Sequence, residues 1–313
     1  MKRCGIVLCL LLSVCLSLCA CGPGVPDTRP PHEEIPTQVL GTVLQELVYA
    51  DASGYLVPTA RRVARTEDCT ALLKRLTNGE FNAAFFDETG LHGVLPVGFD
   101  VSANLVSGVC HIDITGEWQT LSTADERILV RGVVATALAL PGVEGARLTF
   151  NGQELKTLAN QTVVSQVFRA MVLNMDTSVC SDVDRGYIAT LYFGGTERSL
   201  LVPVGRVLPG AVTLASAVSQ LCRGPSSTSK LCAVMPTGTS VLSAAIEDGI
   251  ATVNFSAAFA NIAAMPDNGV QCARAVILTC MQFPGVDAVR FQVEGQPFET
   301  DLDMSVGSFA NAF

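Results

Sequence analysis

An internal repeat is the feature that most limits how this chain can fold. Short motifs recur in the same order about 140 to 145 residues apart. Tyr49 is matched with Tyr192. The matched motifs are LVP at 56–58 and 201–203, LPVG at 95–98 with MPTG at 235–238, VCHIDI at 109–114 with IATVNF at 250–255, LPGV at 140–143 with FPGV at 283–286, and NGQ at 151–153 with EGQ at 294–296. Because collinear matches mark repeated structural units, the sequence predicts two copies of one module.

Each repeat predicts a small α+β module. The expected strands of the first copy are 45–50, 55–64, 99–106, 109–115 and 146–150, and the expected helices are 66–78 and 122–140. Ser122 is the predicted N-cap of the longer helix, and Pro141-Gly142 ends it. The predicted fold class is α+β, with two tandem modules, each a mixed or antiparallel sheet with two helices packed on one face.

The repeat also divides the chain into segments. These are a signal peptide at 1–20, a flexible tether at 21–44, module 1 at 45–153, a connector at 154–184, module 2 at 185–297 and a C-terminal tail at 298–313. The connector includes Phe168, Met171 and several valines, which is too apolar for a free linker. We therefore expect the connector to pack between the modules, whereas the sequence names no packing partner for the tail.

The N-terminus is typical of an exported lipoprotein. Lys2 and Arg3 precede an apolar run over 6–20 that is too short for a comfortable transmembrane helix. The run ends in LCAC at 18–21, which resembles the lipobox of bacterial lipoproteins, and a proline-rich stretch follows. We predict cleavage before Cys21, lipidation of its thiol, and attachment to the extracytoplasmic face of the cell membrane. The alternatives are a plain secretory signal and a membrane anchor with incidental cysteines.

The acidic balance of the chain limits its partners. The formal net charge is -9, and removal of Lys2 and Arg3 leaves 18 basic residues against 29 acidic ones. An acidic surface repels phosphates, so we expect no nucleic-acid partner, and contact with the membrane is expected through the lipid anchor.

Cysteine usage favours structural thiols. Seven cysteines follow Cys21, at 69, 110, 180, 222, 232, 272 and 280. An odd number without a Cys-x-x-Cys pair argues against a zinc site. Disulfides are chemically permitted outside the cell, but buried thiols are the preferred interpretation.

The motif order resembles the GerMN domain, which occurs in extracytoplasmic lipoproteins of Gram-positive bacteria. The second copy fits best, through LCRGP at 221–225 and FPGV at 283–286, whereas the first copy has TNG at 77–79 and Asp113-Ile114 in place of Asn-Phe. The resemblance covers about two thirds of the chain. It implies a compact α+β module akin to ring-building motifs of secretion assemblies, and a non-enzymatic assembly role in spore formation or germination.

Two groups of residues are candidates for chemistry. His92 follows Asp87 and Glu88 in a Gly-rich stretch that suits a metal ion, although a solvated loop is the simpler interpretation. His111 and Asp113 point the same way on a strand, as an acid–base pair would. The sequence contains no nucleophile elbow, Walker loop or dinucleotide fingerprint. We therefore expect no catalytic residue, no metal and no cofactor.

Three further residues are candidates for structural or partner contacts. Arg61 and Arg206 match across the repeats, and an internal ion pair is preferred over a grip on a partner's carboxylate. Trp118, the only tryptophan, precedes the long helix and is expected to pack on it, with a surface anchor as the alternative.

These features favour a membrane-tethered scaffold over an enzyme. Envelope or sporulation-complex proteins are the expected partners, and open strand edges suggest weak self-association. The alternatives are a cell-wall hydrolase and a peptidoglycan-binding protein that uses the groove between the modules.

Overall fold

The first repeat folds into a hairpin, a mixed three-stranded sheet and helices that pack on them. The computed structural model describes residues 41–195, 200–300 and 309–313, so the signal peptide, Cys21 and most of the tether lie outside the described residues. The elements of module 1 are β1 (Thr42–Asp51), β2 (Leu56–Ala64), α1 (Cys69–Lys74), α2 (Ala83–Thr89), β3 (Leu91–His92), β4 (Asp100–Val106), β5 (Val109–Thr115), α3 (Thr123–Leu138) and β6 (Gly145–Phe150).

Module 2 follows the same order, except that its described residues show no counterpart of α2 or β3 and a short strand is added at its end. Its elements are β7 (Tyr187–Gly194), β8 (Leu201–Leu208), α4 (Leu214–Arg223), β9 (Val241–Glu247), β10 (Ile250–Phe255), α5 (Pro266–Met281), β11 (Ala288–Val293) and β12 (Gln296–Pro297). In both modules the first two strands form an antiparallel hairpin. The middle strand of the mixed sheet, β5 or β10, pairs antiparallel with the strand before it and parallel with the strand after it. The predicted α+β fold with tandem modules is confirmed.

Side-chain caps set where the helices begin. Ser122 accepts a hydrogen bond from Asp125 N at 3.2 Å, so the predicted N-cap of α3 is confirmed. Thr213 and Ser216 form a reciprocal capping box at α4. The helix predicted over 66–78 is shorter, because Asp68 caps it and α1 ends after Lys74.

The Gly-rich stretch at 87–93 is not the loop that the sequence predicts. Asp87 and Glu88 belong to α2, which ends at Gly90 in a left-handed conformation with φ 72°, and β3 follows. Phe85 anchors α2, because its ring contacts that of Tyr49 at 5.0 Å between centroids. This aromatic contact gives a short segment enough buried surface to form a helix.

The hairpin register corrects one repeat assignment. Tyr49 was matched with Tyr192 in the sequence, but Tyr49 pairs with Val57 whereas Phe193 pairs with the equivalent Val202. Phe193 is therefore the structural counterpart of Tyr49. The loop of the second hairpin is one residue longer, which explains the displaced match.

Both modules contribute to one continuous hydrophobic core. The same cluster of buried side chains includes Leu47 and Ile112 of module 1, Leu191 and Phe255 of module 2, and Phe168 of the connector. All seven cysteines of the described ranges are free thiols, and Cys110, Cys272 and Cys280 are buried. Among the described residues, no helix combines the length and apolarity needed to span a membrane.

Candidate functional site: the seam between the modules

The seam is the region where the hairpin of module 1, β1 and β2, meets the hairpin of module 2, β7 and β8. Two short segments cross it, each from the end of one repeat to the hairpin of the other. Residues 173–176, here called the connector strand, follow module 1 and bond to β8: Gly205 N donates to Leu173 O at 3.1 Å, and Asp176 N donates to Gly205 O at 2.9 Å. Residues 309–313, here called the tail, follow module 2 and bond to β2. There Ala60 N donates to Asn311 O at 2.8 Å, and Phe313 N donates to Ala60 O at 3.0 Å.

The connector strand carries an asparagine that joins both hairpins. Asn174 Oδ1 accepts from Leu56 N at 2.8 Å, and its Nδ2 donates to Leu56 O at 2.7 Å. The same Nδ2 donates to Pro203 O of module 2 at 2.8 Å. One side chain therefore satisfies backbone groups of both modules at the place where they meet.

The tail carries the equivalent asparagine with the modules exchanged. Asn311 Oδ1 accepts from Leu201 N at 2.8 Å, and its Nδ2 donates to Leu201 O at 2.8 Å and to Pro58 O at 2.9 Å. Asn311 is 5% exposed. The repeated LVP motif thus supplies two matched sets of backbone atoms, each bound by an asparagine from a crossing segment.

Arg206 fixes the connector strand to module 2. The residue is 2% exposed, and its Nε donates to Asp176 Oδ2 at 2.8 Å. Its other nitrogens donate to Gln220 O at 3.1 Å and Gly224 O at 2.9 Å, at the end of α4. Burial raises the pKa of Asp176, but hydrogen bonds from Ser178 and Arg206 outweigh it, so the pKa lies below its usual value.

Arg61 occupies the equivalent position but has neutral partners. Its Nη1 donates to Asn82 Oδ1 at 2.6 Å and to Tyr49 Oη at 3.1 Å. The guanidinium lies over the ring of Phe85, 4.1 Å from the centroid, and the ring of Phe313 from the tail packs on Phe85 at 5.6 Å. The contacts recorded for both arginines are therefore internal.

A carboxylate of module 1 and a phenol of module 2 interact electrostatically across the seam. Glu46 extends from β1 and Tyr192 from β7. Burial raises the pKa of Glu46. Burial, together with the negative charge of Glu46, raises the pKa of Tyr192 to about 12. The seam therefore holds an ionisable group with raised proton affinity.

Two clefts open beside the crossing segments. The first, about 300 Å³, lies between Tyr55 of module 1, the connector strand and the loop after α4. Its polar lining includes hydroxyl groups of Thr177, Ser178, Ser226 and Thr228. The second, about 330 Å³, is lined by the tail together with residues of β8 and α5.

Two of the candidate chemical residues, His92 and Asp113, are held by structural bonds. The ring nitrogens of His92 lie 3.1 Å from the backbone oxygens of Gly93 and Asp51. Asp113 Oδ1 accepts from Thr149 Oγ1 at 2.6 Å and Gly152 N at 2.8 Å, and no bond to His111 is recorded among the described residues. No group of three or more potential metal ligands occurs within the described residues.

The role of Asp113 recurs in the second repeat. Asn254 Oδ1 accepts from Gly295 N at 2.8 Å, just as Asp113 accepts from Gly152 N. Both side chains tie the turn after the last parallel strand to the middle strand of the sheet. The Asp-to-Asn difference between the repeats therefore conserves a hydrogen bond, which explains why either residue suits this position.

Trp118 lies in a short 3₁₀ segment, Trp118–Thr120, ahead of α3. Its ring meets that of Phe150 edge-on, with centroids 6.1 Å apart. The tryptophan therefore contacts the last strand of its own module and is half-buried there.

Sequence reasoning did not identify the two asparagines. Both lie outside the matched motifs, in segments assigned to the connector and tail, and they are 137 residues apart instead of 140 to 145. The signal that points to them is an asparagine between apolar residues, LNM at 173–175 and ANA at 310–312. Three residues are too few to stand out without the fold.

Comparison with known proteins agrees with the architecture. The family model described as "Germane: Sporulation and spore germination" matches residues 46–156 and 190–299. The spore germination protein GerM of Bacillus subtilis strain 168 is 23% identical over 270 residues, which covers 83% of this chain and 74% of GerM. The solved tandem GerMN domains of B. subtilis GerM have 23% identity and a TM-score of 0.71, covering 87% of this chain and 99% of theirs. The chain therefore belongs to the Germane family of sporulation and spore germination, and carries two copies of its domain in tandem.

Proposed function

We propose that this chain is a non-enzymatic interaction module of the bacterial cell envelope that acts in sporulation or germination. The observation that carries the proposal is the seam between the modules. There each repeat contributes a segment that binds to the hairpin of the other, so the two modules form one unit. Family membership and the name of the GerM relative support the sporulation-related role. Envelope or sporulation-complex proteins are the proposed partners.

The geometry of the polar side chains supports a binding role. His92 and Asp113 are engaged with backbone groups and a threonine hydroxyl, and Arg206 is held by Asp176 and the end of α4. The contact of His92 with Asp51 O and the bonds of Asp113 and Arg206 each connect two segments of the fold. A hydrolase instead needs a nucleophile and a base within hydrogen-bond reach of each other.

Complementation of a deletion strain tests this proposal. The variant that combines His92→Ala with His111→Ala removes both candidate bases, and we expect it to restore sporulation or germination like the wild type. Immunoblotting of the membrane fraction checks that the variant is stable and correctly located. A stable, correctly located variant that fails to complement would favour the enzyme hypothesis.

The proposed membrane tether is lipid on Cys21 at the extracytoplasmic face. Cys21→Ala should remove diacylglycerol from the membrane-purified protein, because this thiol is the predicted acceptor. Cys19→Ala is the matched control and should leave the modification in place. Intact-mass measurement distinguishes the two, and an unmodified wild-type chain that begins at another residue would contradict the anchor.

The first cleft favours glycan binding as a second candidate function. Tyr55 Oη lies 3.0 Å from Ser229 Oγ, and the lining combines hydroxyl-bearing residues with apolar ones such as Phe193 and Leu231. Asp176, the carboxylate in the wall, is paired with Arg206. Such a lining suits a neutral polyhydroxylated ligand. Purified peptidoglycan should then retain the wild-type chain better than Tyr55→Ala, and equal retention of both would reject the cleft as the site.

A further inference from the structure

The tail occupies a site whose atoms belong to both modules. We call this site the tail seat, defined by the backbone of Pro58, Ala60 and Leu201 and by the ring of Phe85. The tail satisfies Pro58 O, Leu201 N and Leu201 O through the Asn311 side chain. It satisfies Ala60 N and Ala60 O through its own backbone. The seat therefore recognises an extended segment with an asparagine two residues before an aromatic ring.

Recognition of this kind is strand addition. The tail bonds in parallel to one residue of β2, and its side chains fill places on either side of the strand. Backbone hydrogen bonds give affinity in such a mode, whereas the amide of Asn311 and the ring of Phe313 give specificity. Nothing in these contacts requires the segment to come from the same chain.

The two crossing segments differ in how they are held. The connector strand is flanked by β6 and β7, so both of its ends are fixed by the modules. The tail follows module 2, after β12. The tail also lines the open second cleft beside Gln271 and Arg274, and Phe313 is 42% exposed. One side of the tail therefore faces solvent, whereas Ala310 and Asn311 are buried in the seat.

We propose that the tail seat accepts the tail of a second copy, so that two chains exchange residues 309–313. Every tail contact formed within one chain is formed again between chains, so the exchanged pair loses no bonds. Association entropy is the main cost, and tethering to a membrane reduces it by raising the local concentration. The proposal deepens the assembly role and rests on it, because it names a second copy as one partner.

Mixing full chains that carry different affinity tags tests the exchange. We expect tagged and untagged wild-type chains to co-purify after incubation together. Asn311→Ala in both copies should lower the co-purified fraction about tenfold, because the seat's backbone groups lose their partner. Asn174→Ala is the matched control. It removes the equivalent amide from the connector strand, which is not exchanged, so co-purification should persist.

A second measurement guards against misfolding of the Asn311 variant. A peptide of residues 306–313, added in excess to wild-type chains, should compete for the seat and lower co-purification, whereas the same peptide with Asn311→Ala should not. Absence of co-purification for the wild type, or co-purification that neither peptide changes, would overturn the proposal. Complementation by the histidine variant is measured separately, so failure of exchange and failure of the assembly role are distinguishable.

Discussion

Arg206 and Arg61 show how one position in a repeat can serve two different local environments. Arg206 pairs with a carboxylate from the connector strand, and both side chains are nearly buried, at 3% and 11% exposed. Arg61 instead donates to an amide and a phenol and lies over an aromatic ring. A sequence alignment of the repeats predicts the arginine at both positions but not its partner, because the partner comes from outside the aligned motifs.

This difference predicts unequal costs for the same substitution. Arg206→Met leaves Asp176 without its ionic partner in a buried place, so we expect a loss of about 3–5 kcal/mol in the free energy of unfolding. Arg61→Met loses bonds to neutral groups and one cation–π contact, so we expect about 1–2 kcal/mol. Denaturant unfolding of both variants measures the two values. Equal losses of unfolding free energy in the two variants would show that the ion pair between Arg206 and Asp176 stabilises the fold no more than the neutral contacts of Arg61 do.

Glu46 predicts a pH dependence that originates at the seam. Burial raises its pKa, so the folded state binds this proton more tightly than the unfolded state does. The contribution of Glu46 to the free energy of unfolding is therefore most favourable when the pH is below the ordinary pKa of 4.5. This contribution becomes unfavourable as the pH rises through the pKa of the folded state. Glu46→Gln should raise stability at pH 7 and change it little at acidic pH.

Urea unfolding at pH 7 and at acidic pH tests the Glu46 prediction. Glu247→Gln is the control, because Glu247 is exposed at the end of β9 and its charge needs no desolvation. We expect the Glu247 variant to follow the wild type at both pH values. A Glu46→Gln protein that is less stable than the wild type at pH 7 would mean that the carboxylate is stabilised in the seam.

At the scale of elements, the motifs predict the modules and miss the segments between them. The positions of most strands, the long helix and its cap follow from alternating apolar residues, turn residues and a serine cap. The helix α2 was missed because glycines around it suggest a loop, whereas packing of Phe85 on Tyr49 decides the structure. The connector was expected to pack between the modules because it is apolar, but its strand-like pairing depends on contacts with β8.

Close packing of the connector strand on β8 makes Gly205 sensitive to substitution. A Cβ at this position would clash with Val172 Cγ1 and lie 3.3 Å from Ile188 Cγ2. We expect Gly205→Ala to cost about 1–3 kcal/mol, because the connector must move to make room. Gly210→Ala is the control, since a Cβ there meets no atom within 4 Å. Thermal unfolding compares them, and a neutral Gly205 variant would mean that the connector strand is loosely packed.

At the scale of the whole molecule, the crossing segments make the two modules dependent on each other. Each hairpin binds a segment from the end of the other repeat, and the hydrophobic core includes side chains from both modules. The repeat alone predicts two units, and independent units are the simpler expectation from it. Their interdependence could not be predicted, because it depends on contacts between residues as far apart as Pro58 and Asn311.

The central claim is therefore that the two modules form one cooperative body, and the single tryptophan allows a direct test. Trp118 lies in module 1 against Phe150, so its fluorescence reports on that module, whereas far-ultraviolet circular dichroism reports on both. In one denaturant titration of the chain, we predict coincident transitions by the two signals, with the same midpoint and slope. Two separate transitions, with the fluorescence change complete while helical signal from module 2 persists, would contradict the account.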